Sequence, residues 1–348
     1  MKQVKIALVG MGRIGKIHFK NIQHQLAGAE IIAVADLHYD KALKEIYNGI
    51  LFFENPDEVI TLPEIDAILI CTPTSSHAAL IEKGIQSGKH IFCEKPMDLS
   101  LEKTTSLSEM AKEAGVKLML GFNRRFDPDF MQANQSVRDG KIGDVQIVKI
   151  TSRDPGPPPI EYIKHSGGLF MDMAIHDFDM ARYIMGKEVI EVYSRGLNII
   201  DHEIRKAGDI DTALTTLVFE DGTYAVIDNS RKAAYGYDQR LEIFGNKGMI
   251  KVGNNLHNQN VLFNQDGIHH ALPLDFFMDR YAKSYLKEME LFIQALVNDS
   301  EMPAGGADGL KATQIAYAAK MSVESGRPVK LSEIMINSHY TMKEKFNS

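Results

Sequence analysis

The chain has 348 residues, 44% hydrophobic and 24% charged, an ordinary globular composition long enough for two domains with separate cores. A net charge of -7 disfavours a nucleic-acid or anionic-membrane partner, which would need clustered Lys and Arg; a pair such as Arg124 and Arg125 is too short to reverse that balance. Cys71 and Cys93 close or sit within apolar runs and read as free thiols, no signal peptide precedes Val4, and no apolar run approaches the roughly 18 residues of a membrane span, so the expectation is a soluble cytoplasmic protein.

The chain opens on VKIALVG, an apolar run that fits a buried parallel strand and leads directly into Gly10, Gly12 and Gly15. This G-x-G-x-x-G pattern precedes a helical stretch, Arg13–Leu26, and the next strand, EIIAVAD, ends on Asp36, 21 residues past Gly15. Strand, glycines, helix and acidic residue in that order point to a dinucleotide-binding Rossmann unit. Gly10 would allow the tight turn, Gly12 the approach of backbone to pyrophosphate, and Gly15 the packing of helix on sheet. Asp36 would accept from the adenosine ribose hydroxyls and repel a 2′-phosphate, which favours NAD over NADP.

Alternation continues through a helix at Tyr39–Ile46, the strand of DAILICTPTSSH, a helix at His77–Gly88, the strand HIFCEKP, a helix at Leu101–Ala114 and the strand VKLMLGF. Ligands meet an open parallel sheet at its strand ends, so Thr72, Pro73, Thr74, His77, Glu94, Lys95 and Asn123 are candidate cofactor neighbours, together with Arg13 and Ile14 of the glycine loop. The expected boundaries are 1–123 for the nucleotide-binding domain, 124–331 for a second α/β domain, and 332–348 for a tail.

Past residue 124 the pattern changes. A helix at Asp127–Asp139 precedes the strand-like segments DVQIVKITS, EVIEVYSRGLNI, DTALTTLVFE, GTYAVIDNS, QRLEIFGN and GMIKVG, separated by turns such as EDG and GNKG. This predicts a large, mostly antiparallel sheet, open on one face, with closing helices at Tyr281–Asn298 and Gly309–Ser325. Within GGLFMDMAIHDFD, Asp172 and His176 stand four residues apart, a spacing that puts a carboxylate beside an imidazole on one helix face, a pair suited to proton transfer. Asp177 and Asp179 read as structural.

GxGRIGxxH, CEKP and RDPGPPP…SGGLFMDMAIHDFDMARYIMG together resemble the Gfo/Idh/MocA oxidoreductase family, in particular its members acting on inositol, from Ile6 to about Pro328. The resemblance implies a Rossmann domain followed by an open-sheet α/β domain, a homotetramer built through that sheet, and NAD-dependent oxidation of a ring hydroxyl of a cyclic polyol. The expected conversion is myo-inositol to 2-keto-myo-inositol, with scyllo-inositol or a pyranose sugar as alternative substrates. A dinucleotide sensor or an NAD-dependent glycosidase is the alternative of a different class. By motif, the resemblance implies Lys95, Asp172 and His176 as catalytic residues: His176 takes the hydroxyl proton, Lys95 bonds the same oxygen, and Asp172 orients His176. Candidate polyol contacts are Arg125, Asp154, Tyr235, Tyr237 and Tyr281. Each has a plainer reading, with Arg125 pairing with Asp127, the tyrosines packing in the sheet, and Asp154 capping the Pro-rich turn. A metal at Asp172, His176 and His165 is not expected: HxxxH and Cys-pair spacings are missing, and Lys95 opposes a cation.

Overall fold

Val4–Val9 (β1) forms the strand its apolar run requires, buried at every position except Lys5. It lies in a parallel sheet with Ala29–Ala35 (β2), Leu51–Phe53 (β3), Ala67–Ile70 (β4), His90–Cys93 (β5) and Leu118–Leu120 (β6), in the order β3-β2-β1-β4-β5-β6. Strand order reverses between β1 and β4, the switch point where an open α/β sheet receives its ligand. The computed structural model describes residues 3–38 and 49–336; the expected Tyr39–Ile46 helix and the tail past Ile336 lie outside the described residues.

The chain divides into two units, Met1–Phe126 with Ser284–Thr313 and Asp127–Lys283 with Gln314–Ser348. The sequence expectation kept 124–331 together, whereas 284–313 packs with the first unit. The cause lies in the Ala282–Val297 helix, whose Met289, Phe292 and Ile293 are buried, Phe292 making an edge contact with Phe92 of β5 at 5.8 Å between ring centroids. Full burial of a side chain such as Phe292 stabilises by roughly 1.5–3 kcal/mol. Leu120 of β6 also donates its N–H to Ala304 at 2.8 Å, tying the returning segment to the sheet.

The second unit holds a seven-stranded mixed sheet of Val145–Arg153 (β7), Val189–Leu197 (β8), Thr212–Phe219 (β9), Tyr224–Ser230 (β10), Asp238–Gly245 (β11) and Gly248–Val252 (β12), closed by Val329–Lys330. The order is β12-β11-β7-β10-β9-β8 and then Val329–Lys330; every neighbouring pair is antiparallel except β7 with β10. One face is covered by the helices Pro128–Arg138 and Ile175–Met185, the first of which Asp127 caps by accepting from Asp129 and Phe130 N–H. Register places Tyr193, Leu214, Tyr224, Phe244 and Met249 together on the other face, where they are exposed. A separate hairpin, Val261–Asn264 with Gly267–His270, is exposed throughout, so no apolar alternation announced it.

Candidate functional site

In the first unit the glycine loop is built by the absence of side chains. Gly10 has φ +95°, and a Cβ there would stand 2.8 Å from the Cys71 carbonyl oxygen; a Cβ on Gly15 would stand 2.0 Å from the Gly10 carbonyl oxygen. Gly12 is different, since a Cβ there would meet nothing within 4 Å. It caps the Arg13–Gln25 helix without a side-chain bond, and the first turn carries no acidic residue, so Arg13 and Ile14 begin a helix whose N-terminal end suits an anion. Asp36, at the end of β2, accepts from Met11 N–H at 2.6 Å and His38 N–H at 2.7 Å, which fixes its carboxylate against the loop.

The ends of β4 and β5 hold Thr72, Pro73, Thr74, Glu94 and Lys95. Ser76 donates to the Thr72 hydroxyl at 2.7 Å. His77 is buried, its Nδ1 facing the Pro96 carbonyl at 2.7 Å and its Nε2 the Thr72 carbonyl at 2.8 Å, so both ring nitrogens brace the two turns. Lys95 is half-buried just past β5, and Asn123 is buried where a short 3-10 turn begins. Glu94 turns inward instead, to His18 Nε2 at 3.1 Å. Buried His18 and Glu288 and half-buried Glu94 form a cluster with ligand-type atoms within 4.8 Å of one another. Neither Glu288 oxygen meets a hydrogen-bond donor among the described residues, and burial, aided by the Glu94 charge, holds its carboxyl well above the ordinary 4.5. The sequence offered one sign of this cluster, the His of GxGRIGxxH, to which spacing alone assigned no work.

In the second unit Asp172 lies in a π-helical turn, Phe170–Ala174, and His176 in the α-helix Ile175–Met185 that follows. Their four-residue spacing therefore spans a widened turn, a feature common at functional sites. Asp172 Oδ1 accepts from the Tyr162 hydroxyl at 2.8 Å and Oδ2 from Arg231 at 3.3 Å. These anchors escaped the sequence reading, because Tyr162 belongs to the unforeseen short helix Ile160–Ser166 and Arg231 lies 59 residues away. Asp177 is buried and accepts from Asn229 at 2.8 Å, and Asp179 is buried as well. His165 is exposed on its short helix.

The polyol candidates scatter. Arg125 donates to the Pro303 carbonyl at 2.8 Å and pairs with Asp308 at 2.9 Å; Asp127, its expected partner, pairs with Arg280. Asp154 extends β7 by accepting from Ala233 N–H at 2.6 Å through its carbonyl, and its carboxylate helps to hold the Arg231 charge. The Tyr235 hydroxyl donates to Asp238 at 2.6 Å and receives from Arg153 at 3.1 Å. Arg153 also binds Asp228, whose neighbour Asn229 points through the sheet to Asp177, so Tyr235 stands on the open-face side. Burial and the Asp238 bond raise its phenol above 10.0. Tyr281 is buried on the covered side, donating to Gln239 at 3.1 Å, with the Tyr237 ring edge-on at 6.0 Å.

An oxidoreductase family model with an NAD-binding Rossmann fold matches residues 4–122, and a GFO/IDH/MocA C-terminal domain model matches 130–251. The chain is 44% identical to the myo-inositol 2-dehydrogenase of Thermotoga maritima over 334 residues, 95% of this chain and 100% of that protein. Among solved structures, a myo-inositol dehydrogenase from Corynebacterium glutamicum superposes with a TM-score of 0.90 at 39% identity, covering 94% of this chain and 99% of that one. The scyllo-inositol dehydrogenase of Lactobacillus casei, with bound NAD(H) and scyllo-inositol, gives 0.87 at 33% identity, over 95% of this chain and 100% of that one.

Proposed function

Since the chain belongs to the Gfo/Idh/MocA oxidoreductase family, we propose that it oxidises a ring hydroxyl of a cyclic polyol with NAD, taking myo-inositol to 2-keto-myo-inositol. The observation that supports this reading above others is the Asp172 carboxylate, tethered on both oxygens and four residues from His176. His176 takes the hydroxyl proton as neutral imidazole, Asp172 orients it and steadies the imidazolium, and the Lys95 ammonium stabilises the developing alkoxide. NAD, when bound, supplies the hydride acceptor at nicotinamide C4.

The pyrophosphate fits the bare helix start at Gly12, Arg13 and Ile14, and the ribose hydroxyls fit Asp36, whose negative charge opposes a 2′-phosphate. Thr72, Pro73, Thr74 and Asn123 border the same ligand, while His77 and Glu94 act behind it, as brace and interior partner. For the polyol, Arg125, Asp154, Tyr235 and Tyr281 remain proposed contacts. Arg125, Tyr235 and Tyr281 would have to share donors already engaged within the protein.

The L. casei relative favours scyllo-inositol as a second substrate, because the two epimers differ by one inverted hydroxyl and yield the same ketone. Rates of NADH formation on myo-inositol, scyllo-inositol and glucose, measured side by side, test the reading. Faster turnover of myo-inositol is expected; no NADH from any cyclic polyol overturns it.

The exposed sheet face bearing Leu214, Phe244 and Met249 fits burial against further copies in a homotetramer, expected as four chain masses by light scattering; a monomer at assay concentration counts against it. Two free cysteines suit a reducing cytoplasm, and recovery in the membrane or secreted fraction would contradict that placement.

A further inference from the structure

Arg231 is the largest fully buried side chain of the described residues, and the proton-transfer chemistry does not itself use it. A buried guanidinium is costly unless carboxylates surround it. Arg231 directly follows Ser230, the last residue of β10, anchored by its N–H to the Asp211 carbonyl at 2.8 Å. Its Nη1 donates to Asp172 Oδ2 at 3.3 Å and its Nη2 to Asp209 Oδ2 at 3.3 Å. Asp209 Oδ1 accepts from Leu169 N–H at 2.9 Å. The carboxylate that holds Arg231 therefore also holds the backbone just before the π-helical turn.

Local sequence makes this contact feasible. Gly168 has φ +80°, and a Cβ there would stand 2.6 Å from Asp209 Oδ1, so only glycine lets the chain lie so close. The brace thus grips the turn at its start, through Leu169, and at its middle, through Asp172. Charges agree with the geometry: burial pushes the Asp209 carboxyl up while Arg231 opposes that push, and burial works against the Arg231 charge while Asp172, Asp209 and Asp154 sustain it.

We propose that Arg231, held by Asp209, is a positioning residue that fixes the Asp172 carboxylate for its work on His176. The inference rests on the reading that Asp172 orients His176. A buried arginine that only balanced its own charge would need carboxylates around it, but not a carboxylate that also accepts from the N–H of Leu169 at the start of the same turn.

The test is a double-mutant cycle on the full chain with saturating NAD and myo-inositol. Arg231→Gln and Asp209→Asn are each made alone and together with Asp172→Asn. Each alone should lower kcat about 10- to 100-fold, the usual scale for partners that orient a working group, with KM for NAD unchanged. Arg231→Lys, which keeps the charge, should recover part of the loss. In the Asp172→Asn background the same changes should cost less than about threefold, because the group they position is already disabled. Equal losses in both backgrounds, or full kcat in Arg231→Gln, overturn the proposal. If Arg231→Gln melts below the assay temperature, Asp209→Asn preserves volume and carries the same cycle alone. Full turnover by Asp172→Asn overturns the role of Asp172 and this inference together, whereas additivity with a disabled Asp172→Asn overturns the inference alone.

Discussion

The glycine loop and the Asp172 turn manage charge in opposite ways. In the loop, the positive end is the backbone of a helix start that Gly12 caps without a side-chain bond, and the sequence specifies it locally by leaving side chains out at Gly10, Gly12 and Gly15. At the turn, one carboxylate is held by a phenol 10 residues away and a guanidinium 59 residues away, so its geometry exists only after the sheet has formed. A cradle made of backbone is written in a short stretch of chain. A site made of side chains is written in the fold, and the two should fail differently when altered.

The largest expected effect separates them outright. His176→Ala should lower kcat/KM by about three orders of magnitude, the range of a lost general base, while NAD titrated by fluorescence binds as before. Loss of NAD binding in that variant would merge the two regions. Gly15→Ala should do the reverse, since its Cβ would stand 2.0 Å from the Gly10 carbonyl oxygen, and overpacking there costs about 1–3 kcal/mol. Weaker NAD binding and a lower melting temperature are expected, and wild-type values for both would show that the loop yields. Asp36→Ala should weaken NAD binding about tenfold, the loss of one charge-assisted hydrogen bond, and narrow discrimination against NADP. An unchanged NAD-to-NADP ratio would remove Asp36 from the ribose.

The smallest effect sharpens the comparison, because the interior of the first unit holds a side-chain cluster of its own. Glu288 has a carboxyl raised in the folded state, so its contribution to stability is complete below the ordinary 4.5 and is lost as pH climbs toward the folded value. Glu288→Gln keeps the neutral shape and removes that dependence. Its melting temperature should gain on the unaltered protein between pH 5 and pH 9; a constant difference across that range would mean Glu288 carries no raised carboxyl.

Legibility followed the same division. The apolar runs of β1, β2, β4 and β5 and the helix framed by Asp127 and Asp139 were readable because burial on both faces, or a cap at each end, leaves a mark on consecutive residues. Leu51–Phe53 has three residues and the helix Phe277–Arg280 four, too few for a period, and Tyr281, where the sequence reading begins its helix, has a non-helical ψ of 18°. That Met289, Phe292 and Ile293 face inward was visible from their spacing. Which unit they pack into was not, since spacing reports burial and not the partner. For the same reason Arg125 and Tyr281 looked free for a ligand: a sequence gives their donors, while Asp308 and Gln239 become their neighbours only in three dimensions.

The single parallel pair, β7 with β10, has a directional consequence. Because both strands run the same way, Arg153 and Ser230 stand side by side, and the residues that follow them, Asp154 and Arg231, leave the sheet at one rim. Asp209 and Asp211, arriving at the start of the antiparallel neighbour β9, reach that rim from the other direction. With β10 reversed, Arg231 would emerge a full strand away, seven residues or roughly 23 Å at about 3.3 Å each, beyond the reach of any side chain toward Asp172. The polarity of one strand thus determines at which end of the sheet an arginine can meet the carboxylate.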